Sequence, residues 1–245
     1  MNSINEQLNE LFENWQSESH DNGDNDFIFD GLMNDAAFSD DDWWNSSLRI
    51  ACISKDPYFS NSDEFEEGEL DGEDYREYDL LEMSVDHRFW RNILSIVYGI
   101  IHTDEDGYPD YSEACSYESR EDISENTPFA LVNIKKQAGD SSVTNKALRR
   151  YARTYNDYLS EEVREILTPN VVFCCGTSGI VMDEIYSDVD FEQIDDDGYI
   201  FYSEDEDLLL IAGHHPTARM SNRDMYEHVM KAYSDFLEDY DFPNN

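Results

Sequence analysis

The stretch Leu208-Leu209-Leu210-Ile211-Ala212-Gly213-His214-His215-Pro216-Thr217 decides how the rest of the chain is read. Its first half is apolar without any alternation of polar and apolar positions. Such a run suits a strand covered on both faces, as in a parallel sheet. It then ends on two histidines and a proline. Other runs have the same shape. Leu48 to Ile53 leads into Ser54-Lys55-Asp56-Pro57-Tyr58, and Phe129 to Ile134 carries Asn133 near its end. Asn170 to Cys175 closes on Gly176-Thr177-Ser178-Gly179. In an open α/β sheet, ligands bind at the carboxyl ends of the strands. Asp56, Asn133 and His215 are therefore expected at strand tips.

Between these runs the apolar spacing turns helical. Phe89 to Ile101 predicts a helix packed on the sheet, and Thr144 to Leu167 one or two more. A short helix is expected over Ile180 to Tyr186. Ser221 before Asn222 suits the start of a final helix reaching Tyr240. Alternating strands and helices predict an α/β fold, three layers deep (α/β/α), around a central, mostly parallel sheet. Asp63 to Glu82 reads as a charged surface loop before a helix near Ser84. His102 to Asn126 reads as a polar connection, and Ser187 to Asp207 as an acidic irregular segment. The 245 residues suit one sizeable domain, over 46–245, plus an acidic N-terminal appendage over 1–45. That appendage has no Lys or Arg. It holds a short amphipathic helix, Ile4 to Trp15, and two tryptophans, Trp43 and Trp44, expected to dock on the core.

Composition narrows the function. Hydrophobic residues make up 40% of the chain, enough for a core, and no apolar run reaches membrane-spanning length. The first residues lack the basic-then-apolar pattern of a secretory signal, so a cytoplasmic location is expected. Cys174 and Cys175 are adjacent in a strand and point to opposite faces, which suits buried thiols better than a metal or cluster site. No cofactor and no metal are expected. The formal net charge of −41, from 57 acidic against 16 basic side chains, repels nucleic acid at long range. A surface adapted to high salt, a mimic of nucleic acid, or a local basic patch inside an acidic shell would each account for it.

Lys55-Asp56-Pro57-Tyr58, Asn133 at a strand end, and His215-Pro216-Thr217 match a family pattern when taken in order. The chain resembles the uracil-DNA glycosylase superfamily over about residues 46 to 240, as a divergent branch without an iron–sulfur cluster. The resemblance implies a uracil-DNA glycosylase-like fold and hydrolysis of the N-glycosidic bond of a flipped-out uracil or modified pyrimidine. The chemistry suits those residue types. Asp56, held by the turn that Pro57 imposes, can orient water and stabilise an oxocarbenium-like sugar. His215 can donate to the oxygen of the departing base. The amide of Asn133 can both donate and accept, and so can read a pyrimidine edge. Tyr58 beside the ring can exclude a C5 substituent. Phe59, Tyr75 and Phe89 are candidates for the aromatic that stacks on the base.

Phosphates need cations and hydroxyls. Lys55, Lys135, Lys136, Ser141, Ser142, Thr217 and Arg219 lie close to the motifs in sequence, and Arg149, Arg150, Arg153 and Arg223 are near them. The partner expected is DNA, single-stranded or duplex, with a protein partner for the acidic N-terminal region and no membrane. The chain departs from the best-known branch in three places. Phe59 stands in place of His, Thr217 in place of Ser, and Arg219 near the position of a wedging Leu. Each residue also has a plainer reading. Asp before Pro is a turn former, Asn at a strand end caps backbone, and His at a loop start makes local hydrogen bonds. The rival functional class is a non-catalytic acidic interaction protein on the same fold, displaying carboxylates as a DNA mimic or inhibitor.

Overall fold

Seven strands form one sheet in the computed structural model, which describes residues 3–23, 26–33, 37–57, 71–137 and 143–243. The strands are β1 (Gly31–Leu32), β2 (Ile50–Ser54), β3 (Ala130–Asn133), β4 (Val171–Cys175), β5 (Glu192–Gln193), β6 (Ile200–Ser203) and β7 (Leu208–Gly213). Their order is β1-β3-β2-β4-β7-β6-β5. The central four, β3-β2-β4-β7, are mutually parallel. β1 closes one edge antiparallel to β3, and β6 with β5 closes the other.

The unbroken apolar runs have their expected cause, because both faces of the sheet are covered. Along β2, Ile50 and Cys52 point into one core while Ala51 and Ile53 point into the other. The first core is roofed by α4 (Arg88–Ile101), α6 (Tyr117–Asn126) and α10 (Asn222–Asp239). The second is covered by α1 (Ile4–Asp21), α7 (Asn145–Thr154), α8 (Asn156–Ser160), a π-helical segment (Glu161–Leu167) and α9 (Ser178–Ile180). The three-layer α/β/α expectation fits this arrangement.

The reading of residues 1–45 as an appendage is corrected. Ser3 caps α1 through a reciprocal box with Glu6. Ile4, Leu8, Leu11, Phe12 and Trp15 are buried along one stripe of the helix and belong to the second core. Each such side chain stabilises the fold by ~1.5–3 kcal/mol relative to exposure, so the segment is a structural layer. Trp43 is buried and donates to the Leu167 carbonyl at 2.9 Å, whereas Trp44 stays 45% exposed. Only one tryptophan of the pair docks.

Three connections hold more order than their polarity suggests. His102–Asn126 contains α5 (Tyr111–Ala114) and α6, started by the side chains of Asp110 and Ser116. Ser187–Asp207 contains β5 and β6, paired as a hairpin. The helix expected near Ser84 begins at Leu80 as α3 (Leu80–Asp86), capped by Asp79. In each, backbone pairing or a cap supplied by a short polar residue overrides the acidic composition.

Candidate nucleic-acid base site at the strand tips

Because β3, β2, β4 and β7 run parallel, their carboxyl ends meet at one edge of the sheet. Register pairs Ser54 with Asn133 and Cys175 with Gly213. Asp56 follows β2 by two residues, Gly176-Thr177 follow β4, and His215 follows β7 by two. From β2 the chain steps to β3 on one side, then returns past β2 to β4 on the other. The reversal lies between β2 and β4, where a crevice forms in doubly wound sheets. Asp56 and Thr177 stand on either side of it. The Thr177 hydroxyl donates to the Ile53 carbonyl at 2.7 Å, tying the turn after β4 to the strand that carries Asp56.

Asp56 is half-buried, and burial pushes its carboxyl up from the ordinary value, opposed by the charges of Lys135 and Lys55. Burial lowers the His215 imidazole to about 4, with the charge of Lys55 acting in the same sense. One ammonium therefore acts on both groups. The backbone N–H of Thr217 donates to His215 Nδ1 at 3.3 Å, and the Thr217 hydroxyl lies 3.0 Å from the same atom. An N–H can only donate, so Nδ1 accepts and the proton of the neutral ring sits on Nε2.

The loop that carries His215 is fixed from α4. Phe89 packs its ring against the imidazole with centroids 5.9 Å apart. Asn92 donates to the Pro216 carbonyl, and Arg88 to the Met220 carbonyl, each at 2.7 Å. Gly176 has φ +72 and is so close to the loop that a Cβ there would lie 3.2 Å from the His215 nitrogen. Gly213 admits the Phe173 ring, which a Cβ would strike at 2.4 Å. The first turn of α4 was visible in sequence as Phe89-Trp90-Arg91-Asn92, but nothing in its spacing tells that it grips the histidine loop. Of the stacking candidates, Phe89 reaches the site, while Tyr75 is buried against Tyr78 and Trp90.

Asn133 is 1% exposed, and its backbone and side-chain N–H groups donate to Asp30 Oδ2 at 2.7 and 3.0 Å. Lys136 is fully buried. Its ammonium pairs with Asp30 and lies 2.9 and 2.8 Å from the two Glu162 oxygens, over the rings of Phe12 and Trp15. The expectation that Lys136 meets a phosphate is thus corrected, because no surface of it faces solvent. Burial raises the Glu162 carboxyl well above its ordinary value, against the pull of Lys136 and aided by Asp30. Asp30 and Glu162 gave no sequence signal, since in a chain with 57 acids neither looks unusual.

Lys55 and Lys135 are half-buried, and Thr217 and Arg219 are exposed. Among the described residues, Lys55 and Arg219 form no ion pair. Nor do Lys135, Arg150 and Arg49, whereas three other arginines are engaged. Arg149 pairs with Asp183 and Glu184, Arg153 with Glu184, and Arg223 with Glu227. These three arginines balance acids of the same surface. Tyr58, Phe59, Ser141 and Ser142 lie outside the described residues.

No family model matches the chain, and no curated protein matches it.

Proposed function

We propose that the chain is an N-glycosidic bond hydrolase, a DNA glycosylase of the uracil-DNA glycosylase superfamily acting on a flipped-out uracil or modified pyrimidine. One observation carries the reading. The parallel register brings the tips that bear Asp56, Asn133 and His215 to one sheet edge, on three strands of which β2, carrying Asp56, flanks the β2–β4 reversal. In this reading the raised carboxylate of Asp56 is the stronger base for orienting water beneath the sugar. The neutral His215 offers Nε2–H to the oxygen of the leaving base, where negative charge develops. Lys55, which acts on both, adds a cation beside that charge. Asn133, 1% exposed and with its nitrogen held by Asp30, braces the strand tip and does not read a base edge, which corrects the expectation for it. No step calls for a metal or cofactor. DNA is the partner, and the cytoplasm the expected compartment. Among the described residues no helix is long and apolar enough to cross a membrane.

The test is release of uracil from single-stranded and duplex oligonucleotides, read as abasic sites. Wild type should release base, and Asp56→Asn and His215→Gln should each lose ~10²–10⁴-fold in rate. A second reading, an acidic protein that does no chemistry, is favoured by the charge of −41 and by the neutralised Arg149, Arg153 and Arg223. It requires that neither wild type nor Asp56→Asn release any base.

A further inference from the structure

A second recess lies at the opposite edge of the sheet, where β2, β4 and β7 begin. It encloses about 650 Å³, within the range of small-molecule sites, and Trp44, Arg49, Arg164, Thr168, Glu206 and Asp207 line it.

Arg49 is held in place there and forms no ion pair among the described residues. Its backbone N–H donates to Asn170 Oδ1 at 2.7 Å and its Nε to the Thr168 carbonyl at 3.0 Å. That orients the guanidinium and leaves its two terminal nitrogens, which form no ion pair among the described residues. Asp207, the nearby acid, accepts from the Tyr202 hydroxyl at 2.9 Å, and its charge acts on Arg49. Burial lowers the Arg49 pKa, with Asp207 opposing. Acids outnumber bases 57 to 16 in this chain, so a half-buried arginine inside a recess with no ion pair among the described residues is unexpected on composition alone. Arg164, across the recess, is closed by a two-point bridge to Asp188 at 2.6 and 3.1 Å.

Two further features converge on the same place. Trp44 is one of the few large apolar side chains left exposed, and the Arg49 guanidinium carbon lies 5.9 Å from its ring centroid. Thr168 (φ +40) and Asp207 (φ +46) are two of the three non-glycine residues with left-handed backbone among those described. Such backbone persists where surrounding structure imposes it. Thr168 is also the residue whose carbonyl holds Arg49.

These groups define a ligand. A guanidinium fork wants two acceptor oxygens on one centre, and an exposed indole beside it wants a planar ring. Glu206 and Asp207 in the same wall disfavour a ligand of high negative charge and suit hydroxyl donors. We propose that this recess binds a nucleoside monophosphate, with the phosphate on Arg49, the base on Trp44 and the sugar hydroxyls toward Glu206. The site is separate from the strand-tip edge, and the inference does not depend on glycosylase activity.

The experiment titrates the whole protein with uridine and adenosine monophosphates, with the parent nucleosides and with inorganic phosphate, by calorimetry and tryptophan fluorescence. The nucleotides should saturate with a Kd of ~10⁻⁵–10⁻³ M, and nucleoside or phosphate alone should bind at least roughly tenfold more weakly. Arg49→Gln and Trp44→Ala should each weaken nucleotide binding roughly tenfold, while Asp56→Asn should leave it unchanged. Circular dichroism checks that Arg49→Gln still folds. If it does not, Trp44→Ala, at an exposed position, decides alone. No saturation in wild type by about 5 mM nucleotide would overturn the proposal. So would full binding by Trp44→Ala, or loss of binding in Asp56→Asn, which would move the ligand to the other edge.

Discussion

The backbone and side-chain amides of Asn133 both donate to the same oxygen of Asp30, at 2.7 and 3.0 Å. A carboxylate oxygen only accepts, so the amide nitrogen of Asn133 is turned toward Asp30 and its Oδ1 away. Asp30 in turn is paired with Lys136, and Lys136 with Glu162, all without solvent contact. The strand tip that carries Asn133 is therefore positioned by a buried ionic set that reaches from the N-terminal segment to the π-helical turn.

Removing the cation from this set should be costly. Lys136→Met leaves two buried carboxyl groups facing each other, and the expected loss is ~3–5 kcal/mol in urea unfolding. Glu162→Gln, which keeps a donor toward Asp30, should stay within about 1 kcal/mol of wild type at acidic pH. The two should then diverge. Glu162 is raised in the fold, so the folded chain binds more protons than the unfolded chain above the ordinary Glu value of 4.5. Its stabilisation is complete below that value and falls as pH rises. The stability of Glu162→Gln relative to wild type should therefore increase from pH 4.5 upward. A difference that stays flat would mean that Glu162 is ionised in the fold.

His215 gives the opposite slope. Its pKa is about 4 in the fold against an ordinary 6.5, so the unfolded chain binds the extra proton between those values. This contribution to stability is full above pH 6.5 and falls as pH drops toward 4. His215→Gln should flatten the stability profile in that window. Base release should show no imidazole step between pH 6 and 8, and its acid limb should follow Asp56, above the ordinary carboxylate value of 3.8. An activity midpoint near 6.5 that vanishes in His215→Gln would show that the imidazole is charged in the reaction.

Gly176→Ala puts a methyl group on a φ of +72 and 3.2 Å from the His215 nitrogen. The backbone strain alone should cost ~1–2 kcal/mol. The closer effect is on the histidine loop, which must shift. Thermal unfolding should drop modestly while base release drops by more than that instability explains. Equal activity per folded molecule would show that the loop tolerates the displacement.

Salt dependence separates this edge from an ordinary DNA-binding face. Lys55, Lys135, Arg150 and Arg219 are the cations named for phosphates that form no ion pair among the described residues, so log K against log salt should be no steeper than about −4. The fold itself should gain stability with salt, since screening weakens the self-repulsion of 41 surplus negative charges. A steep slope would place phosphates on further cations, and loss of thermal stability in salt would contradict the repulsion argument.

The central sheet was legible because its signal is local. An apolar run without alternation means a strand covered on both sides, and Leu208–Gly213, Val171–Cys175 and Ile50–Ser54 all carry it. The strand tips followed from the same signal. What could not be read was pairing at a distance. Lys136 looks like any surface lysine until Asp30 and Glu162 arrive from elsewhere in the chain. Arg149 and Arg153 look like a phosphate clamp until Asp183 and Glu184 take them. The hairpin β5–β6 hid inside acidic sequence because an edge strand needs only one apolar face, and Tyr199 to Ser203 is too short to show it.

Helix α1 also bears on how the chain is made. Its Trp15 packs against Tyr151, Tyr155 and Tyr158, with Tyr158 bonded to Glu18 across 140 positions of sequence. During synthesis α1 precedes the residues that cover it by about 140 positions, so its apolar side stays uncovered until they follow. A chain built this way closes late and all at once, with the dense negative charge keeping neighbouring unfinished copies apart in the meantime.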